Sequence, residues 1–117
     1  MGIQQISAIT LAVRDMGRAV AFYRKIGLEF LYGGENAAFT SFRAGPGYVN
    51  LILTPSHEPV WWGRVILRVD HADATYQALV DQGLEPETPR DVSWGERYFH
   101  LRDPDGHELS FAELLRR

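Results

Sequence analysis

Apolar and polar residues alternate over the stretch 9–14. Ile9, Leu11 and Val13 are interleaved with Thr10, Ala12 and Arg14, which predicts a half-buried strand. The period then lengthens. Ala19, Phe22, Tyr23 and Ile26 recur at the spacing of one face of an amphipathic helix. Asp15 suits the N-cap of that helix because its carboxylate accepts an orphan backbone N–H. Gly27 suits the left-handed position just past its end. Strands are predicted next near 29–32, 37–43 and 48–53, punctuated by Gly33-Gly34 and Gly45-Pro46-Gly47. Thr54–Trp62 holds two prolines and no period, so it reads as a connection.

The same order then repeats. Val65, Leu67 and Val69 mark the core face of a strand. A helix follows from about Ala72 to Gln82, with Ala72, Tyr76, Leu79 and Val80 as its apolar residues and Gly83 as its stop. Further strands are predicted near 87–92, 97–102 and 108–113. Asp103-Pro104-Asp105-Gly106 supplies a tight turn, because Pro presets φ and Gly tolerates φ > 0. Residues 9–30 align with 65–86 without a gap at an offset of 56. Leu11/Leu67, Val13/Val69, Gly27/Gly83, Leu28/Leu84 and Glu29/Glu85 are the identities. This spacing is too long for one solenoid repeat and too short for an independent domain.

One helix covers only one face of a four-stranded sheet, so the other face must curve around something, meet another subunit or stay wet. The expected fold is α+β. Tandem βαβββ modules, about 5–54 and 64–113 within a single domain 1–117, form a curved eight-stranded mixed sheet with helices outside and a cup inside.

Composition narrows the function classes. The chain of 117 residues is 45% hydrophobic and 23% charged, as an ordinary globular domain is. It has no cysteine, which excludes disulfides, a cysteine nucleophile, thiolate zinc sites and iron–sulfur clusters. Net charge is −3, and no basic cluster with interleaved aromatics points to nucleic acid. No apolar run approaches the ~20 residues of a membrane span, and the N-terminus lacks the features of a signal peptide. A cytoplasmic protein is expected.

Two motifs carry a resemblance. Ile9-Thr10-Leu11-Ala12-Val13-x-Asp15 with Ala21-Phe22-Tyr23 and Gly27-Leu28, and Trp94-Gly95-x-Arg97 followed by Asp103-Pro104-Asp105-Gly106-His107, resemble the vicinal oxygen chelate superfamily. This superfamily includes glyoxalase I, bleomycin resistance proteins, fosfomycin-modifying enzymes and extradiol dioxygenases. Its metal-dependent members carry His, Gln or Glu ligands facing the cup. The resemblance places those positions at Ala8, Asn50, Arg64 and Ser110. Alanine has no donor atom, and arginine brings a positive charge beside any cation. The resemblance therefore implies no metal at these positions and no cofactor, and it points to a homodimer.

Strand alternation selects the residues that reach the cup. They are Ala8, Thr10 and Ala12; Tyr48, Asn50 and Ile52; Arg64, Ile66 and Arg68; Tyr98, His100 and Arg102; and Glu108, Ser110 and Ala112. Arg64 reads as a solvated strand end, an anion clamp or a partner for Glu108. His100 and Glu108 lie on strands joined by the 103–106 turn, and are candidates for a structural hydrogen bond or an acid/base pair. A relocated metal site on His100, Glu108 and His57 is a further alternative. Trp61 and Trp62 read as packing at the module junction or a dimer contact, or else as covers for a flat ligand, and Trp94 is a further candidate cover. His71 and His107 read as surface residues.

The leading expectation is a metal-free small-molecule binder of the bleomycin-resistance kind, sequestering a toxin or antibiotic. Its ligand-binding candidates are Tyr48, Asn50, Trp62, Arg64, Arg68, Trp94, Tyr98, His100, Glu108 and Ser110. The alternatives are a glyoxalase-type lyase or isomerase or a dioxygenase with a shifted metal, and a metal-free acid/base enzyme using His100 and Glu108. The arginines and aromatics on the cup face predict a planar ligand with an anionic or strongly polar group, held by Arg64.

Overall fold

A computed structural model describes residues 1–115. The chain forms two compact units, Met1–Glu58 and the part from Pro59 onward. The first contains β1 (Ala8–Val13), α1 (Met16–Lys25), β2 (Glu29–Tyr32), β3 (Phe39–Ala44) and β4 (Gly47–Leu53). The second contains β5 (Arg64–Arg68), α2 (Ala72–Asp81), β6 (Arg90–Val92), β7 (Glu96–Arg102) and β8 (Glu108–Leu114). Each unit is thus βαβββ.

The strands pair in the orders β1-β4-β3-β2 and β5-β8-β7-β6. In both, the first strand runs parallel to the last, and the other ladders are antiparallel. The sheets are therefore two four-stranded mixed sheets, which corrects the single eight-stranded sheet expected from the repeat. The reason lies in the edges. β1 and β5 each have one hydrogen-bonded neighbour, and no ladder joins the two sheets among the described residues.

The glycines shared by the repeat end both helices in the same way. Gly27 and Gly83 have φ of 100° and 85°. Gly27 N–H donates to Arg24 O at 3.0 Å and Leu28 N–H to Tyr23 O at 3.3 Å; Gly83 and Leu84 do the same to Val80 and Leu79. These are Schellman pairs, which satisfy carbonyls that the helix itself leaves bare.

The helix starts differ. Asp15 caps α1 through an Oδ1 that accepts the Arg18 N–H at 2.9 Å. At α2 the N-cap is His71, whose side chain makes no capping bond. The acceptor comes instead from β8, where Glu113 Oε1 takes the Ala72 N–H at 2.8 Å.

Helix and sheet bury a core in each unit. In the first, Tyr23 meets Phe22 at 5.0 Å and Phe42 at 6.1 Å between ring centroids, and Leu11, Val13 and Leu51 are buried as well. In the second, Phe99 stacks on Phe111 at 5.0 Å, and Tyr76 of α2 stands edge-on to Phe99. Val80 is 38% exposed, contrary to its expected place on the apolar face of α2; Ala72 and Leu79 are the buried residues of that helix. Leu53 is likewise exposed at the end of β4. Strand β3 starts at Phe39 rather than 37, and β6 at Arg90 rather than 87.

Replacing Glu113 by Ala should cost about 0.5–2 kcal/mol, comparable to Asp15→Ala, because each change removes the side-chain acceptor at a helix start. Urea unfolding of the two variants checks this. A silent E113A would show that the Ala72 amide finds water equally well.

Candidate functional site

The face of each sheet opposite its helix is set by register. In the first unit Thr10, Asn50, Ser41 and Tyr32 form one row, and Ala8, Tyr48, Arg43 and Glu29 another. Asn50 Nδ2 donates to Thr10 Oγ1 at 3.5 Å, and the Arg43 guanidinium lies 5.3 Å from the Tyr48 ring centre. An open cleft of about 380 Å³ lies here, lined by Leu31, Tyr32, Ser41, Arg43, Tyr48 and Asn50. Of the expected site residues it brings Tyr48 and Asn50 together. Arg43 was missed, although period-two reading of β3 would have placed it on this face.

In the second unit the rows are Arg64, Glu108 and Arg102; Ile66, Ser110 and His100; and Arg68, Ala112, Tyr98 and Arg90. The first row is an ion-pair network. Arg64 Nε donates to Glu108 Oε2 at 2.6 Å, and Arg102 Nη2 stands 3.5 Å from Glu108 Oε1. Of the readings open for Arg64, the pairing with Glu108 is present, and the side chain also remains 40% exposed. The carboxylate side chain is only 10% exposed, whereas Arg64 and Arg102 are 40% and 61% exposed. Burial pushes the Glu108 carboxyl up. The Arg64 hydrogen bond and the charges of Arg64, His100 and Arg102 outweigh it and hold the group below its ordinary value. Glu108 is therefore a fixed anion between cations, a poor proton donor near neutral pH.

His100 faces Ser110, not Glu108, across the ladder, so the expected neighbours are diagonal. Ser110 is buried. His100 Nδ1 is buried without a hydrogen-bond partner, and its ring lies 5.0 Å from Tyr98, which in turn meets Trp94 at 5.9 Å. Arg90 Nη2 donates to the Tyr98 hydroxyl at 3.0 Å. Glu96 gathers two further candidates: Trp94 Nε1 donates to it at 2.8 Å, and Arg68 Nη2 lies 3.5 Å away. Glu96 was missed because the strand was expected to begin one residue later. A second cleft, of about 560 Å³, opens at the far end of β5, lined by Arg68–His71, Glu113 and Leu114.

The connection between the units ends in an ordered strap. Pro59 packs against Gly106, where a Cβ would come within 2.8 Å of the proline and φ is +86°. Asp103 Oδ1 accepts from the amides of Asp105 and His107 at 2.9 and 2.8 Å and pins the turn. Trp62 Nε1 donates to His107 Nδ1 at 2.8 Å. His107 is buried, which corrects its reading as a surface residue. A turn residue has no period to betray its direction. Trp62 is thereby tied down, while Trp61 lies over Arg64, ring centre to guanidinium 5.7 Å. His71 is exposed, as expected.

The residues at the four positions implied by the resemblance do not form a donor set for a divalent metal. Ala8 offers no donor, Asn50 is hydrogen-bonded to Thr10, Arg64 is a cation bound to Glu108, and Ser110 is buried opposite His100. Among the described residues no three His, Cys, Asp or Glu cluster in a way that could hold a metal ion. No described helix is long and apolar enough to cross a membrane.

Glu108→Gln tests the network. A carboxyl held below its unfolded value adds stability above that value and loses it as pH falls through the folded one. Wild-type protein should therefore lose more stability than E108Q as pH drops below the ordinary glutamate value of 4.5. Urea midpoints measured across that range check it, and parallel curves would refute the assignment.

The Glyoxalase/Bleomycin resistance protein/Dioxygenase superfamily model matches residues 5–111. Metallothiol transferase FosB of Shouchella clausii (strain KSM-K16) is 28% identical over 116 residues, covering 92% of this chain and 78% of that protein. The crystal structure of a glyoxalase family protein from Bacillus anthracis superposes with a TM-score of 0.82 at 24% identity, over 97% of this chain and 98% of that one. A bleomycin-binding protein solved with bleomycin gives 0.78 at 22% identity, over 95% and 98%. The chain belongs to the glyoxalase/bleomycin resistance/dioxygenase superfamily.

Proposed function

We propose that this superfamily member is a small-molecule-binding protein that works without a metal ion, sequestering its ligand rather than transforming it. The observation that carries this reading is the Arg64–Glu108 pair. A position where metal-dependent relatives are expected to supply a ligand holds a guanidinium, bonded at 2.6 Å to a buried carboxylate. Such a pair opposes a cation and leaves a charged, solvent-facing group for an organic ligand. The similarity in fold to a bleomycin-binding protein supports this reading. FosB is named a metallothiol transferase, and the absence of a metal donor set at the four positions above favours binding over that activity here.

The binding surface in this reading is the open face of the second sheet. Arg64, Arg68 and Glu108 supply charge, Trp94, Tyr98 and His100 a flat wall, and Ser110 a small floor, with Trp62 held nearby by His107. Tyr48 and Asn50 offer a corresponding surface on the first unit. An acid/base enzyme on His100 and Glu108 is disfavoured because both oxygens of the Glu108 carboxylate are held by Arg64 and Arg102 and His100 faces Ser110 instead. A homodimer belongs to the same reading. The open faces carry exposed Tyr32, Ile52 and Ile66, and each sheet ends in unpaired edges.

Calorimetry of untagged protein with Zn²⁺, Ni²⁺, Mn²⁺ and Fe²⁺ should show no stoichiometric site. A panel of small aromatic compounds should quench tryptophan emission saturably without turnover. One tight metal equivalent, lost in His100→Ala or Glu108→Gln, would overturn the proposal. Light scattering at micromolar concentration should give the mass of a dimer.

A further inference from the structure

The Arg64 guanidinium is bound at one edge only. Its Nε is committed to Glu108, while Nη1 and Nη2 make no hydrogen bond with any described residue. Trp61 lies over the same group. We propose that the free end of Arg64 is the receptor for a carboxylate carried on a flat aromatic ring, with Glu108 as the positioning residue that aims it. This rests on the small-molecule-binding reading above and adds the ligand's chemical class.

The geometry favours a carboxylate for three reasons. Parallel N–H groups at the end of a guanidinium match two carboxylate oxygens in a bidentate pair. The side-on edge is already filled by Glu108, so the ligand must approach end-on. Arg64 would otherwise sample many rotamers, and a nearly buried anchor removes that freedom before binding. Charge agrees. The register places Arg64, Arg68, Arg90 and Arg102 on this face against Glu96 and Glu108, although the whole chain carries −3. An anion is attracted to this face more than the net charge implies.

The ring follows from what lies next to the fork. Ile66 is two residues along the same strand, on the same face, and 63% exposed. Beside it the small Ser110 and Ala112 keep the floor low, and His100 with Tyr98 raises an aromatic wall beyond. From β5 across β8 to β7 is about 10 Å, enough for one or two fused rings.

The test uses 2-naphthoate and its neutral isostere 2-naphthamide, titrated by calorimetry into wild type, Arg64→Lys and Glu108→Gln. The Trp61 indole N–H is followed by NMR and assigned with Trp61→Phe. Naphthoate should bind about tenfold or more tighter than naphthamide and shift the Trp61 resonance. R64K keeps the charge but loses the fork, and should abolish most of that preference while its melting temperature stays near wild type. E108Q should weaken naphthoate if Glu108 aims the guanidinium. Tighter binding by E108Q would mean that Glu108 merely competes, and would overturn the positioning role. Equal binding of acid and amide, unchanged in R64K, would overturn the carboxylate receptor and leave the binding reading intact. Failure of both naphthyl compounds while others in the aromatic panel bind would do the same. Silence across the whole panel would sink the binding reading itself.

Discussion

The parallel ladder between the first and last strands of each unit is the constraint from which the rest follows. It brings Ala8 beside Tyr48 and Arg64 beside Glu108, pairs no local turn would create. A parallel pair needs a crossover, and the helix between the first and second strands provides part of it while covering one sheet face. The opposite face is left for chemistry. In the second unit, burying the Glu108 carboxylate on that face requires a partner, since an isolated buried charge costs several kcal/mol. Arg64 is the partner that the ladder delivers.

Much of the fold was legible because its signals are local. The caps at Asp15, Gly27 and Gly83, the turn at 103–106 and the alternation of strand residues each depend on a few neighbouring positions. Element order and both open faces could therefore be read directly. Strand boundaries were less legible. Starting β7 at Arg97 instead of Glu96 hid the carboxylate that joins Arg68 and Trp94. The burial of His107 was also hidden, because its direction comes from an Asp103-pinned turn rather than from a period.

The candidate site was legible as a list of residues and not as a network. Sequence offered Arg64, His100 and Glu108 on one face but could not choose their partners. Coulomb attraction alone would allow Arg64, Arg68 or Arg102 to take Glu108. Register decides: Arg64 and Arg102 flank it in one row, and Arg68, two rows away, turns to Glu96. On the helix side, Arg97 is shared between Asp73 and Asp91, so two carboxylates there meet one cation. The excess negative charge of the chain thus says little about the open face.

The start of α2 has one more consequence. A helix-terminal amide ordinarily exchanges with solvent quickly, because nothing within the helix accepts its proton. The Ala72 amide instead donates to a side chain 41 residues further along, on β8. Its proton is shielded only while β8 holds its place. Hydrogen exchange at this single helix-end position therefore reports local opening of a distant strand, and it does so beside the same β8 that carries Glu108.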